Sequence, residues 1–222
     1  MSNEITLILE SDSGKLTTEV SGISNNVIAD LKADLGTAQN INCAKPLERD
    51  IVKLPASNVS TFTDNQSIWL HRMYHNSVVD GPGRRSVIQV AGCSIRCPGC
   101  YVPETHIAQN GRLVTVSFIV EEVFRERFGQ DGVTILGGEP FDQPGSVAEI
   151  VYKLNRLDLH ITIYSGYTLE TLIGRKDSNI DYILTHVDLL IDGPFMPLLA
   201  ANAGEYRGSR NQRQFAQLTR II

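Results

Sequence analysis

Between residues 84 and 195 the chain alternates short apolar runs with amphipathic segments, and this order constrains the fold more than any other feature. The runs are "RRSVIQVAGC", "GVTILGGEP", "HITIYSGY" and "VDLLIDGPF". Between the first two, "SFIVEEVFRERFG" sets Val120, Val123, Phe124 and Phe128 on one helical face and stops at Gly129. After the second, "SVAEIVYKLNRL" sets Val147, Ile150, Val151 and Leu154 on one face. "TLETLI" and "DYILTHV" read as short helical pieces. Apolar strands alternating with helices imply an α/β fold, a largely parallel sheet covered by helices. In such sheets chemistry gathers at the carboxyl ends of the strands. Those ends here read "GC", "GGEP", "YSGY" and "DGPF", so the unusual residues fall on one rim.

The beginning of the chain has a different texture. "EITLILE" is strand-like, "SDSGK" is a turn and "LTTEVSG" is a returning strand; "NNVIADLKADLG" then has helical spacing. Residues 1–45 thus read as a small ββα module, the turn-rich residues 46–67 as a linker, and residues 68–222 as the main domain. A net charge of −5 supplies no electrostatic reason for nucleic acid or an anionic membrane as partner. There is no apolar run of membrane-spanning length and no secretory signal pattern at the start. The expected location is cytoplasmic, where thiols stay reduced and clustered cysteines serve metals or catalysis more often than disulfides.

Three of the four cysteines lie within eight residues, in "AGCSIRCPGCYVPETH", as Cys93, Cys97 and Cys100. Cys43 stands about fifty residues earlier and reads as a small hydrophobe outside the cluster of three. Three thiolates can hold three irons of a cubane [4Fe–4S] cluster and leave the fourth iron open to a small molecule. A zinc site completed by His106 or His75 is the other reading of the triplet. The next strand ends in Gly137, Gly138 and Glu139, where glycines allow close approach of a ligand and the carboxylate can accept a bond from an ammonium.

The C-x3-C-x2-C spacing followed by "GGE" resembles the radical S-adenosylmethionine (SAM) enzymes. Within them, "DGPGRRSVIQVAGCSIRCPGCYVPETH", "YSGYTLE", "VDLLIDGPF" and "YRGSRNQR" resemble the anaerobic ribonucleotide reductase activating proteins, which are glycyl-radical-enzyme activases. The resemblance covers roughly residues 74–214. It implies a partial (β/α) barrel of the radical SAM type, with a [4Fe–4S] cluster and SAM as cofactors. Cys93, Cys97 and Cys100 would ligate the cluster, Gly99 and Tyr101 would flank SAM, and Gly137, Gly138 and Glu139 would hold its methionine moiety. Ser165 and Asp192 would meet the methionine carboxylate or the ribose. Asp80 to Gly83 either close over the cluster or form a simple turn. Arg207, Ser209, Asn211 and Gln212 line the mouth, contact a partner, or form a solvated tail.

The implied reaction is reductive cleavage of SAM to a 5′-deoxyadenosyl radical that installs a glycyl radical on a partner enzyme such as anaerobic ribonucleotide reductase. A flavodoxin-like protein would be the electron donor. The N-terminal module is a departure from the compact activases, and it keeps open a radical SAM enzyme acting on a small molecule or peptide. A metal-binding protein without catalysis is the third reading, disfavoured by the glycine–glutamate motif.

Overall fold

The computed structural model describes residues 4–9, 16–21, 66–216 and 218. The chain divides into two units, Met1–Leu47 and Glu48–Ile222. In the first, β1 (Glu4–Leu9) and β2 (Leu16–Ser21) pair antiparallel, with Glu4 opposite Ser21 and Leu9 opposite Leu16. This is the expected hairpin. The helix expected over residues 25–36, Cys43 and nearly all of the expected linker lie outside the described residues.

The second unit is built on a seven-stranded sheet. Its strands are β3 (Ser67–Ser77), β4 (Arg85–Val90), β5 (Arg112–Thr115), β6 (Gly132–Gly137), β7 (His160–Tyr164), β8 (Leu189–Asp192) and β9 (Arg213–Ala216), in the spatial order β5-β3-β4-β6-β7-β8-β9. The four central strands β4, β6, β7 and β8 are parallel, aligning Ile88 with Ile135, Ile135 with Ile163 and Ile163 with Leu190. Those are the four runs of the sequence pattern, and their side chains are buried because helices cover the sheet. The flanking strands β3, β5 and β9 run antiparallel, and β5 and β9 form two separate edges. The result is an α/β sheet that does not close into a barrel.

Helices α1 (Val116–Glu126), α2 (Pro144–Leu154), α3 (Leu169–Gly174) and α4 (Ser178–His186) provide the crossovers. Helix α2 packs against both α1 and α4, and its Val147, Ile150, Val151 and Leu154 are fully buried, as their spacing predicts. Helix α1 corrects the pattern reading. Its buried face is Val116, Ile119 and Val123, whereas Phe124 and Phe128 are exposed. Arg127 lies over both rings, 3.6 Å and 4.1 Å from their centroids, so these aromatics pack on a cation and not on the core.

The segment between β3 and β4 is an anchored turn. Arg85 is fully buried, and its guanidinium donates to Thr134 Oγ1 (2.6 Å) and to the carbonyls of Pro82 (2.7 Å), Val133 (2.6 Å) and His160 (2.8 Å). Burial lowers its pKa to about 10, which leaves it cationic at neutral pH. These bonds fasten the "DGPG" loop to the beginnings of β6 and β7. Asp80, at the other side of that loop, faces the site described next.

Candidate active site

A cavity of about 410 Å³ opens in the second unit beside the carboxyl ends of the parallel strands. Cys93, Cys97 and Cys100 all line it, as do Gly137, Gly138, Glu139, Ser165 and Tyr101. Segments distant in the chain meet here because β4, β6 and β7 are parallel neighbours ending at the same level.

The cysteine loop is pinned at both ends. Gly92 N donates to Thr105 O (2.8 Å) and Cys93 N to His106 O (3.2 Å), while Ser94 N donates to Asp142 Oδ2 (2.7 Å). Cys100 N donates to Cys97 O (3.2 Å), closing the turn that carries the second and third thiols. Gly99 has φ +71°, a left-handed conformation that suits glycine, and Pro197 packs where its Cβ would be. It shapes the loop without lining the cavity. Burial pushes the Cys93 thiol up, and a metal that binds the thiolate reverses that preference. Among the described residues no three His, Cys, Asp or Glu side chains converge closely enough to hold a single metal ion. His75 does not line the cavity, and its Nδ1 pairs with Ser86 Oγ at 2.8 Å. A cubane makes no such demand, because each thiolate takes a different iron.

The glycine–glutamate motif is held by the end of β4. Gly138 N donates to Val90 O (2.8 Å) and Glu139 N to Gly92 O (2.7 Å). A Cβ on Gly138 would run into the carbonyl of Gly92. Close approach of two protein backbones, rather than of a ligand, is what requires glycine there. Glu139 is 1% exposed, and its carboxylate accepts from Phe141 N (3.0 Å), Ser165 Oγ (3.0 Å) and Gly166 N (2.8 Å). Burial raises its pKa to about 7, against those three bonds, which favour the ionised form. Among the described residues it has no cationic partner. A buried carboxylate stabilised by dipoles alone is suited to receiving a cation from outside the protein.

Asp192 requires a correction. It is fully buried at the end of β8, but it does not line the cavity. Its oxygens accept from Arg213 (2.5 Å and 3.0 Å) and from Leu169 N (2.6 Å), so it fixes β9 and the start of α3 instead of meeting a ligand. Ser165 is also engaged, donating to Glu139 and accepting from Tyr167 N (3.0 Å), which makes it a support for Glu139.

The "RGSRNQ" segment is a knot, not a solvated tail. Gln212 Oε1 accepts from Gly208 N (2.7 Å) and Ser209 N (3.1 Å), and its Nε2 donates to Gly193 O (3.0 Å). Asn211 Nδ2 donates to Pro194 O (2.7 Å), and the buried Ser209 Oγ accepts from Met196 N (3.1 Å). These bonds set residues 193–196 at the rim, where Phe195 meets the ring of Tyr101 with centroids 4.6 Å apart. Sequence reasoning missed Gln89, Tyr164 and Tyr206, which also line the cavity. Gln89, the one polar residue inside the apolar run "VIQV", was a signal that could have found it.

Residues 79–215 match the family model described as a 4Fe-4S single cluster domain. The anaerobic ribonucleoside-triphosphate reductase-activating protein of Vibrio cholerae serotype O1 is 31% identical over 150 residues, covering 64% of this chain and 94% of that protein. The chain belongs to this family. The protein of the same name from Enterobacteria phage T4 is 31% identical over 147 residues, covering 64% of this chain and 90% of that one. Among solved structures, QueE from Escherichia coli matches at a TM-score of 0.40 and 15% identity, over 46% of this chain and 53% of that one, too slight a likeness to bear on function. The cofactors that go with the family are a [4Fe–4S] cluster and SAM. The residues present fit both. Three thiols share one cavity with a buried carboxylate that lacks a cation, and two further buried nitrogens there, His106 Nε2 and Arg207 Nε, have no hydrogen-bond partner in the protein.

Proposed function

We propose that this protein is the activase of an anaerobic ribonucleotide reductase, and that residues 68–222 are its catalytic domain. The observation that carries the reading is the convergence of Cys93, Cys97, Cys100 and Glu139 on one cavity in a chain of this family. When bound, the cluster would supply one-electron reducing chemistry toward SAM, and in this reading the outcome would be hydrogen-atom removal from a glycine Cα of the partner.

The chain's own residues do the rest. Cys93, Cys97 and Cys100 would hold the cluster. Glu139 accepts the methionine ammonium, and Ser165 with Gly166 N keeps the carboxylate aimed. Tyr101, 73% exposed and braced by Phe195, stands at the mouth as an apolar wall for SAM or for the incoming loop. A radical this reactive must form against its target, so the partner's glycine loop docks before cleavage. The electron donor in this reading is a flavodoxin-like protein. Reduced thiolates need a reducing compartment, which supports a cytoplasmic location. No described helix is long and apolar enough to cross a membrane.

The test is electron paramagnetic resonance on the reduced protein, SAM and the cognate reductase mixed anaerobically. A glycine-centred doublet is expected, and deuterated glycine should transfer its label to 5′-deoxyadenosine. Fast labelled turnover of a small metabolite with no protein partner would overturn the activase reading.

A further inference from the structure

Among the described residues that line it, the cavity has thiols and carboxylates but one permanent cation, Arg207. The knot described above places it: Tyr206, immediately before, takes φ +58°, and Gly208, immediately after, is held by Gln212. Arg207 Nη1 makes one long bond, to Gln212 O at 3.3 Å, and its Nε is buried with no partner. Among the described residues no carboxylate pairs with it.

A desolvated guanidinium N–H left unused costs free energy until an acceptor arrives, and the planar fork of arginine matches a carboxylate better than any other anion save phosphate. Glu139, in the same cavity, is the complementary case: a buried anion with no cation. An amino-acid end group carries both complements, an ammonium for Glu139 and a carboxylate for Arg207. We infer that Arg207 is the residue that recognises the α-carboxylate of SAM, so that the methionine end is held by one charge from the "GGE" motif and one from the "RGSRNQ" knot. The inference rests on the SAM reading of the cavity. It also gives the knot a role in the reaction, since Gln212, Ser209 and Asn211 act as positioning residues for Arg207 and the rim.

The experiment is calorimetric titration of the anaerobically reconstituted, oxidised full chain with SAM and with decarboxylated SAM, which keeps the amine and lacks the carboxylate. Wild type should bind SAM about tenfold or more tightly than the decarboxylated ligand. Arg207→Gln should lose about that factor for SAM, and its affinity for decarboxylated SAM should not change. Arg207→Lys should recover part of the loss, and iron content and the cluster spectrum should match wild type in both variants. Equal affinity of wild type for the two ligands overturns the inference without any variant. So does Arg207→Gln that weakens both ligands equally or loses iron, which would assign Arg207 to the cluster or the rim. Wild type that retains its cluster yet binds neither ligand would bring down the SAM reading itself, and this inference with it.

Discussion

Glu139 and Asp192 are two buried carboxylates at the carboxyl ends of strands in one sheet, and the protein treats them oppositely. Asp192 has its charge cancelled internally by Arg213, which also grips the exposed Glu170 through two bonds of 2.9 Å and 2.7 Å. The Arg213 bonds hold the Glu170 carboxyl down to about 2. Glu139 is stabilised by hydrogen-bond dipoles only, and burial raises its pKa to about 7. The difference separates a carboxylate that holds the fold together from one left without a cation among the described residues. Position at the rim does not distinguish them; the presence of an internal cation does.

The sharpest way to break this contrast is to neutralise each acid in turn. Glu139→Gln should keep its iron but weaken SAM binding thirty-fold or more, on the order of the 2–5 kcal/mol for losing one partner of a buried charge pair. Asp192→Asn should leave the SAM dissociation constant within about twofold, since that carboxylate meets no ligand. Titration calorimetry on both variants decides it, and similar losses in the two would erase the distinction.

Removing the internal cation tests the other half. Arg213→Ala leaves Asp192 buried and unpaired, and should lower unfolding stability by about 2–3 kcal/mol, at the low end for broken buried pairs because Arg213 is itself partly exposed. Denaturant unfolding should register this while SAM affinity stays near wild type. An unchanged midpoint would mean that Asp192 finds compensation elsewhere.

A pH series sharpens the contrast further. The folded protein without ligand holds the Glu139 proton up to about pH 7, well above the ordinary carboxylate range. Ionising it therefore disfavours the folded state as pH rises from the unfolded value toward 7. The methionine ammonium favours the carboxylate, so binding should release a proton. SAM affinity should rise roughly tenfold between pH 6 and 8 and lose that slope in Glu139→Gln. Calorimetry in buffers of different ionisation enthalpy reports the released proton directly. The smallest effect belongs to Ser165→Ala, which removes one hydrogen bond to Glu139 and should weaken SAM binding about fivefold, or 1 kcal/mol. A loss as large as that of Glu139→Gln would instead make Ser165 a direct ligand contact.

Much of this was legible in the chain itself. The four parallel strands, helix α2, the cysteine triplet and the "GGE" motif are written in periodicity and spacing, which are local properties that neighbouring residues enforce on one another. The edge strands were not. "RLVT" and "RQFA" are four residues each, too short to carry a period, and they exist as strands only because β3 and β8 offer them backbone partners. The helical face of α1 was misplaced because Phe124 and Phe128 are apolar in composition yet have arginine within reach in the folded chain.

The sequence by itself determined which chemical groups stand at the rim and in what order, since motif, spacing and the order of strands are properties of the chain. The tertiary structure alone decided which of them face the cavity. Asp192 is matched by a cation 21 residues away on an antiparallel strand, Ser165 supports a carboxylate 26 residues before it, and Arg207 reaches the cavity lining from a segment whose Gln212 and Asn211 close on Gly193 and Pro194. The physical reason is that the availability of a buried charge depends on its partners, and those partners come from distant segments that only folding brings within hydrogen-bond distance.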